Sequence, residues 1–221
     1  MDTTLGKAFI FDMDGVLVDS ERAWEIFEPP MLEKALGKDI SEKIGKKIGI
    51  GPDGIHTLAR NLGSPIGKEE LFQNYEGIVA DVYSNSPITK GVDELARRLL
   101  GWGFKLGLVT QSPQSWIDRV LPYISFKDKF EVTISLAERP DLKIKPSPDG
   151  FREALRILDA DPKKSFVLED SNAGIAAGRS AGCYTIGFRG NLPEGYIQMG
   201  ADAYADTMDD VISLVDNLSK S

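Results

Sequence analysis

Ala8-Phe-Ile-Phe11 is a run of four apolar residues with no polar face. Such a run reads as a strand covered on both sides, the habit of a parallel sheet. From Gly91 onward, short apolar runs of this kind alternate with helical periodicity. Helices are predicted over 92–101, 113–121, 147–159, 172–181 and 208–218. Strands are predicted over 104–109, around 130–134, over 165–168 and 183–188, with a short edge strand at 202–205. Strands alternating with helices of about ten residues specify an α/β fold, a doubly wound parallel sheet.

Between residues 20 and 88 the pattern is helical only. Ser20 is placed to N-cap a helix whose apolar faces carry Trp24, Ile26, Phe27, Met31, Leu32, Ala35 and Leu36. Pro29-Pro30 interrupts that stretch, predicting two helical pieces joined by a bend. Further helices are expected over 53–62 and 68–83, with Gly63-Ser-Pro65 between them. The chain therefore divides into an α/β core of residues 1–17 and 89–221 and an inserted helical domain of residues 18–88.

A chain of 221 residues suits one large domain or a domain carrying an insertion. Its 42% hydrophobic and 27% charged residues are ordinary for a soluble protein. The net charge of −8 argues against nucleic-acid or anionic-membrane partners, so a phosphate site would need a local cation, backbone N–H groups or a metal. The single cysteine, Cys183, lies in the apolar run up to Phe188 and reads as a buried thiol, with no intramolecular disulfide open to it. No charged leader with a signal-type apolar core is seen, and no apolar run nears ~18 residues. A cytoplasmic protein, monomeric or weakly dimeric, is expected.

Candidate chemistry gathers at predicted strand ends, where open α/β sheets bind ligands. Asp12 and Asp14, one residue apart and followed by Gly15, leave the first strand; two such close acids suit a hard cation with oxygen ligands, most simply Mg2+. An acidic turn gives the same residues. A calcium EF-hand loop fits less well, since its glycine stands at the sixth position and Gly15 would be fourth. Thr110-Gln111-Ser112 leads from a strand into a helix, so Thr110 can offer its hydroxyl beside backbone N–H groups, or simply cap that helix. Lys145 precedes Pro146 in a loop, as a surface lysine also would. Glu169-Asp170 ends another buried strand; Asp170 or Ser171 can cap the next helix, but Glu169 adds a charge that capping does not need.

In this order the four short motifs Asp12-Met-Asp14-Gly15, Thr110, Lys145-Pro146 and Glu169-Asp170 resemble those of the haloacid-dehalogenase superfamily, over nearly the whole chain. The run Val167-Leu-Glu-Asp-Ser-Asn-Ala-Gly174-Ile-Ala-Ala-Gly178 is similar to the branch with β-phosphoglucomutase and small-metabolite phosphatases. The resemblance implies a Rossmann-like core with a helical cap and a Mg2+-dependent phosphatase acting on a small phosphorylated metabolite. It implies Asp12 as nucleophile, forming an aspartyl phosphate, and Asp14 as the acid and base serving the leaving oxygen and the water. Metal ligands would be the Asp12 side chain, the Asp14 main-chain carbonyl and Asp170, with Glu169 nearby or acting through water. Lys145 and Thr110 would hold the phosphoryl oxygens beside Gln111, and Gly15 would let the loop turn.

A phosphomutase is the alternative within catalysis. That pattern places a histidine shortly after the first motif, where this chain has Trp24; its one histidine, His56, lies in the insertion. A receiver-like phospho-acceptor switch also uses acids, Thr and Lys on a doubly wound sheet, but with the acceptor on a middle strand and no helical insertion. In the loop Ile44–Gly54, Lys46 and Lys47 either read an anionic leaving group or form a solvated basic turn.

Overall fold

A computed structural model describes residues 5–45 and 48–219; Lys46 and Lys47 lie outside the described residues. Six parallel strands lie in the order β3-β2-β1-β4-β5-β6: β1 is Ala8–Phe11, β2 Lys105–Thr110, β3 Phe130–Ser135, β4 Phe166–Glu169, β5 Tyr184–Phe188 and β6 Ala203–Ala205. The order reverses between β1 and β4, which makes their carboxyl ends the switch point of a doubly wound sheet. Each strand and core helix named from the sequence is present, with bounds within two residues of those expected.

Alternation along the strands separates two faces. Phe9 and Phe11 of β1 and Leu106 and Leu108 of β2 join one buried cluster, with α5 (Val92–Gly101), α6 (Gln114–Val120) and α9 (Met208–Ser219). Ala8, Ile10, Val109 and Val167 face the other way, toward α7 (Asp149–Ile157) and α8 (Asn172–Ala181). All four residues of β1 are fully buried, as a central strand covered on both sides requires.

After β1 the chain leaves the sheet beside the point where it later returns. Asp19 N–H donates to the Pro87 carbonyl at 2.9 Å, and Thr89 N–H to the Leu17 carbonyl at 3.0 Å. Between these crossings stand α1 (Glu21–Leu36), α2 (Lys38–Ile44), α3 (Pro52–Asn61) and α4 (Lys68–Ser84), with no strand among the described residues. Leu32, Ile44, Ile55, Leu71 and Val79 pack together here and continue into the cluster beneath the sheet.

Two expectations for this region change. The helix begun at Glu21 runs through Pro29 and Pro30 without ending. Both prolines lie exposed, where carbonyls one turn back can bond to water, and Met31 and Leu32 directly beyond them are buried anchors. Ser20 does stand at the N-cap position, but its hydroxyl makes no cap bond and turns to Asp14 instead. The short helix α2, which the apolar pattern did not announce, buries only Ile44.

Candidate active site

The carboxyl ends of β1, β2 and β4, with the loop before α7, bring a buried charge cluster together. Lys145 Nζ lies 2.5 Å from Asp12 Oδ1 and 2.5 Å from Glu169 Oε1, and donates also to the Val109 carbonyl at 3.1 Å. Lys145 and Asp12 are each 6% exposed, Asp170 2% and Glu169 not at all. A lysine so placed is no surface lysine; taking its ammonium from water is tolerable only because two carboxylates receive it.

Carboxylate oxygens of Asp12, Glu169 and Asp170 lie within 4.8 Å of one another. Fully ionised, three carboxylates against one ammonium would leave the cluster two negative charges in excess. Burial, opposed by Lys145 and helped by Glu169, raises the Asp12 carboxyl to about 8. Burial likewise holds Asp170 well above the usual carboxylate range, with Glu21, Glu169 and Asp12 adding to it. Burial works against the charge of Lys145, yet Asp12 and Glu169 outweigh it and keep its pKa above that of an ordinary lysine. Asp170 Oδ2 is buried without a hydrogen-bond partner. An orphaned oxygen, an all-oxygen donor set and, on full ionisation, a deficit of two positive charges fit a hard divalent cation.

Local structure explains how the acids reach this point. Ser171 is the N-cap of α8 and accepts from Gly174 N–H at 3.0 Å, so the capping role falls to Ser171 and leaves Asp170 aside. At Gly174 a Cβ would overlap the Glu169 carboxylate, so only glycine lets that acid lie against the first turn of α8. Gly15 has a φ of +70°, a left-handed conformation, and a Cβ there would collide with Asp170 Oδ2. The two acid loops therefore pack directly on each other.

Asp14 is expected to give a metal only its main-chain carbonyl and to serve as acid and base through its side chain. Its carboxylate stands outside the three-carboxylate cluster and accepts from Ser112 Oγ at 2.6 Å, Ser20 Oγ at 2.7 Å, Tyr83 O–H at 3.1 Å and Trp24 Nε1 at 3.4 Å. Donors crowd around it because its neighbours are hydroxyls and an indole rather than a cation. Thr110 is buried beside this group and accepts from Ser112 N–H at 3.1 Å. Gln111 donates to the Gly49 carbonyl at 2.6 Å, tying the loop after β2 to the insertion. His56 lies away from the cluster, its Nε2 3.2 Å from the Ile66 carbonyl within the insertion.

A cavity of about 80 Å3 is lined by Asp12, Asp14, Thr110, Gln111, Lys145 and Asp170, with Glu21, Trp24, Glu28 and Tyr75 of the insertion opposite. At roughly 10–15 Å3 per water, it holds several waters or one small anionic group. Sequence reasoning missed Ser112, Tyr83 and Asn191. Asn191 donates to the Gly15 carbonyl at 3.2 Å and supports the first loop from 176 residues away. For Ser112 the signal was its position two residues beyond Thr110 at a strand end; Tyr83 lies on a helix face where periodicity reads as packing.

The model of the haloacid dehalogenase-like hydrolases matches residues 7–182. The chain belongs to that family. Hexitol phosphatase B of Escherichia coli (strain K12) is 30% identical over 179 residues, 79% of each chain. Phosphoglycolate phosphatase of Aquifex aeolicus is 25% identical over 96% of this chain and 97% of its own, and β-phosphoglucomutase of Bacillus subtilis is 27% identical over 89% and 87%. In three dimensions, a hydrolase from Pseudomonas syringae aligns with a TM-score of 0.77 at 22% identity, covering 96% of this chain and 99% of its own. That likeness carries the fold. As a haloacid dehalogenase-like hydrolase with phosphatases among its relatives, the chain is an enzyme of the phosphatase type. No helix among the described residues is long and apolar enough to cross a membrane.

Proposed function

We propose that this enzyme hydrolyses a small phosphorylated metabolite, a sugar phosphate or similar phosphomonoester, with Mg2+ as cofactor. The observation that carries the reading is the buried cluster of Asp12, Glu169 and Asp170 around Lys145, open on one side to a cavity of phosphoryl size. Asp12 attacks phosphorus, and the P–O bond to the leaving group breaks as the aspartyl phosphate forms. Lys145 offsets charge on the nucleophile and on the transferred group, and Thr110 and Gln111 line the place its oxygens occupy. Asp14 gives a proton to the leaving oxygen and takes one from the water that later hydrolyses the acyl phosphate.

Asp12, Asp170, Glu169 and the main-chain carbonyl of Asp14 would hold the cation, which supplies the charge that lets an anionic carboxylate approach an anionic phosphoryl group. The helical insertion at 18–88 then works as a cap, closing the cavity through Trp24, Tyr83 and the Gly49 carbonyl. A phosphomutase is favoured by the β-phosphoglucomutase relative. The indole of Trp24, which can donate to Asp14 but cannot shuttle a proton as imidazole does, favours water as acceptor. A screen of phosphorylated metabolites, with Mg2+ and with chelator, tests the reading: release of inorganic phosphate in the first condition only is expected. Transfer to a second sugar hydroxyl without release would favour the mutase.

A further inference from the structure

The segment 189–200, between β5 and β6, sorts its residues against the usual rule. Ile197 and Met199 are 72% and 65% exposed, while Gln198 between them is only 8% exposed and Asn191 is buried too. Carboxamides buried beneath exposed aliphatic side chains weigh against folding unless what they bond to matters. Both of these reach the acid loops. Gln198 Nε2 donates to the Asp170 carbonyl at 2.6 Å and to the Phe188 carbonyl, at the end of β5, at 2.8 Å. Asn191 Nδ2 donates to Thr89 Oγ1 at 2.6 Å as well as to the Gly15 carbonyl. Among the described residues the Gln198 side-chain oxygen is buried without a hydrogen-bond partner, so that carboxamide is kept for its donors. Gly187 makes room for it: a Cβ there would lie 2.8 Å from Gln198 Oε1.

The same segment brackets Asn172, the first residue of α8. Its backbone N–H, a donor that a helix start leaves without an internal partner, goes to the phenol oxygen of Tyr196 at 2.9 Å. Its side chain donates to the Ile197 carbonyl at 3.0 Å and accepts from Met199 N–H at 2.8 Å. Four hydrogen bonds thus join residues 196–199 to Asp170 and Asn172. Gly15 and Asp170 are where the two acid loops press together, since a Cβ on Gly15 would strike Asp170 Oδ2. When ionised, Asp12, Glu169 and Asp170 repel one another, so a grip on the backbone of each loop sets their separation.

Resting on the cofactor reading, we propose that the segment 189–200 fixes the spacing of the cation site, with Asn191 and Gln198 as positioning residues, one for each acid loop. Each holds the backbone that carries a ligand rather than the ligand oxygen itself. Such orientation matters most for Mg2+, which demands nearly ideal octahedral geometry, and less for Ca2+, which accepts longer and less regular coordination.

Calorimetric titration of the whole protein with Mg2+ and with Ca2+, at one pH, tests this without turnover. Gln198→Met removes the donors at similar length and should raise the Mg2+ dissociation constant about tenfold. The Ca2+ constant should rise by no more than roughly threefold. Asn191→Leu should shift the two constants in the same sense. The ratio of the constants is read on the folded molecules, so a partly unfolded preparation lowers the number of sites and leaves the ratio alone. Val215→Ala, which opens the core under α9, should lose stability and keep both constants. An unchanged Mg2+ affinity in the two carboxamide variants, equal losses for the two cations, or the same loss of selectivity in Val215→Ala would each overturn the proposal. If the wild type binds Mg2+ and the carboxamide variants match it, only the positioning role falls; if the wild type binds neither cation, the cofactor reading falls with it.

Discussion

Tyr83, in the last turn of α4, donates its phenolic hydrogen toward both carboxylate oxygens of Asp14, at 3.1 and 3.3 Å. Burial, and then the charge of Asp14, hold this phenol well above the ordinary tyrosine pKa, so it keeps the hydrogen that it donates. The contact joins the insertion to the residue proposed as acid and base. Tyr83→Phe should therefore lower kcat about tenfold with little change in KM, the low end for a hydrogen bond to a charged group because Ser20, Trp24 and Ser112 remain. Steady-state kinetics on one phosphate ester decides it; an unchanged kcat would separate the Tyr83 contact from catalysis.

Lys145 gives a stability prediction. Its side chain is 3% exposed and pairs with two carboxylates, so Lys145→Ala should cost about 3–5 kcal/mol of unfolding free energy at pH 8. The loss should shrink toward pH 6, where the stranded acids take up protons. Denaturant titrations at the two pH values measure both; a variant as stable as the wild type would mean that the three charges are not coupled.

Metal binding should depend on pH in a fixed direction. Asp12, raised to about 8 by burial, and Asp170, raised by burial and its acidic neighbours, hold protons in the metal-free protein that a cation must displace. The Mg2+ dissociation constant should therefore fall as pH rises from 6 to 8, by up to about tenfold per unit and proton released. The same protons make the metal-free fold lose stability as pH rises between the ordinary carboxylate value and about 8, because the folded state binds more protons there than the unfolded chain. Calorimetric titration across that range checks the affinity; a constant affinity would place the cation away from these acids.

Much of this site was legible because its parts end strands. Asp12, Thr110 and Glu169 each follow an apolar run, and such runs are among the clearest signals a sequence offers. Lys145 was legible only as a member of an ordered set, since nothing local marks a loop lysine as buried. The clamp on Asp14 was not legible: Trp24 and Tyr83 are aromatic residues on amphipathic helices, where the pattern reads as core and says nothing of which indole or phenol turns inward. Glu28 was hidden for the converse reason, a glutamate on a mixed helix reading as solvated until Tyr75, 47 residues away, is seen to hold it. Pro29-Pro30 misled in its own way, because local propensity argued for a break that Met31 and Leu32 prevent by burial.

The account rests on Asp12 as the nucleophile, and hydrolysis of an aryl phosphate in Mg2+ by the wild type and by Asp12→Asn tests that directly. The variant keeps the shape of the side chain and removes a carboxylate that burial already disfavours, so its thermal midpoint without metal should not fall below that of the wild type. Its turnover should drop by orders of magnitude. A folded Asp12→Asn protein that still releases phosphate at a rate near the wild type's would contradict the mechanism.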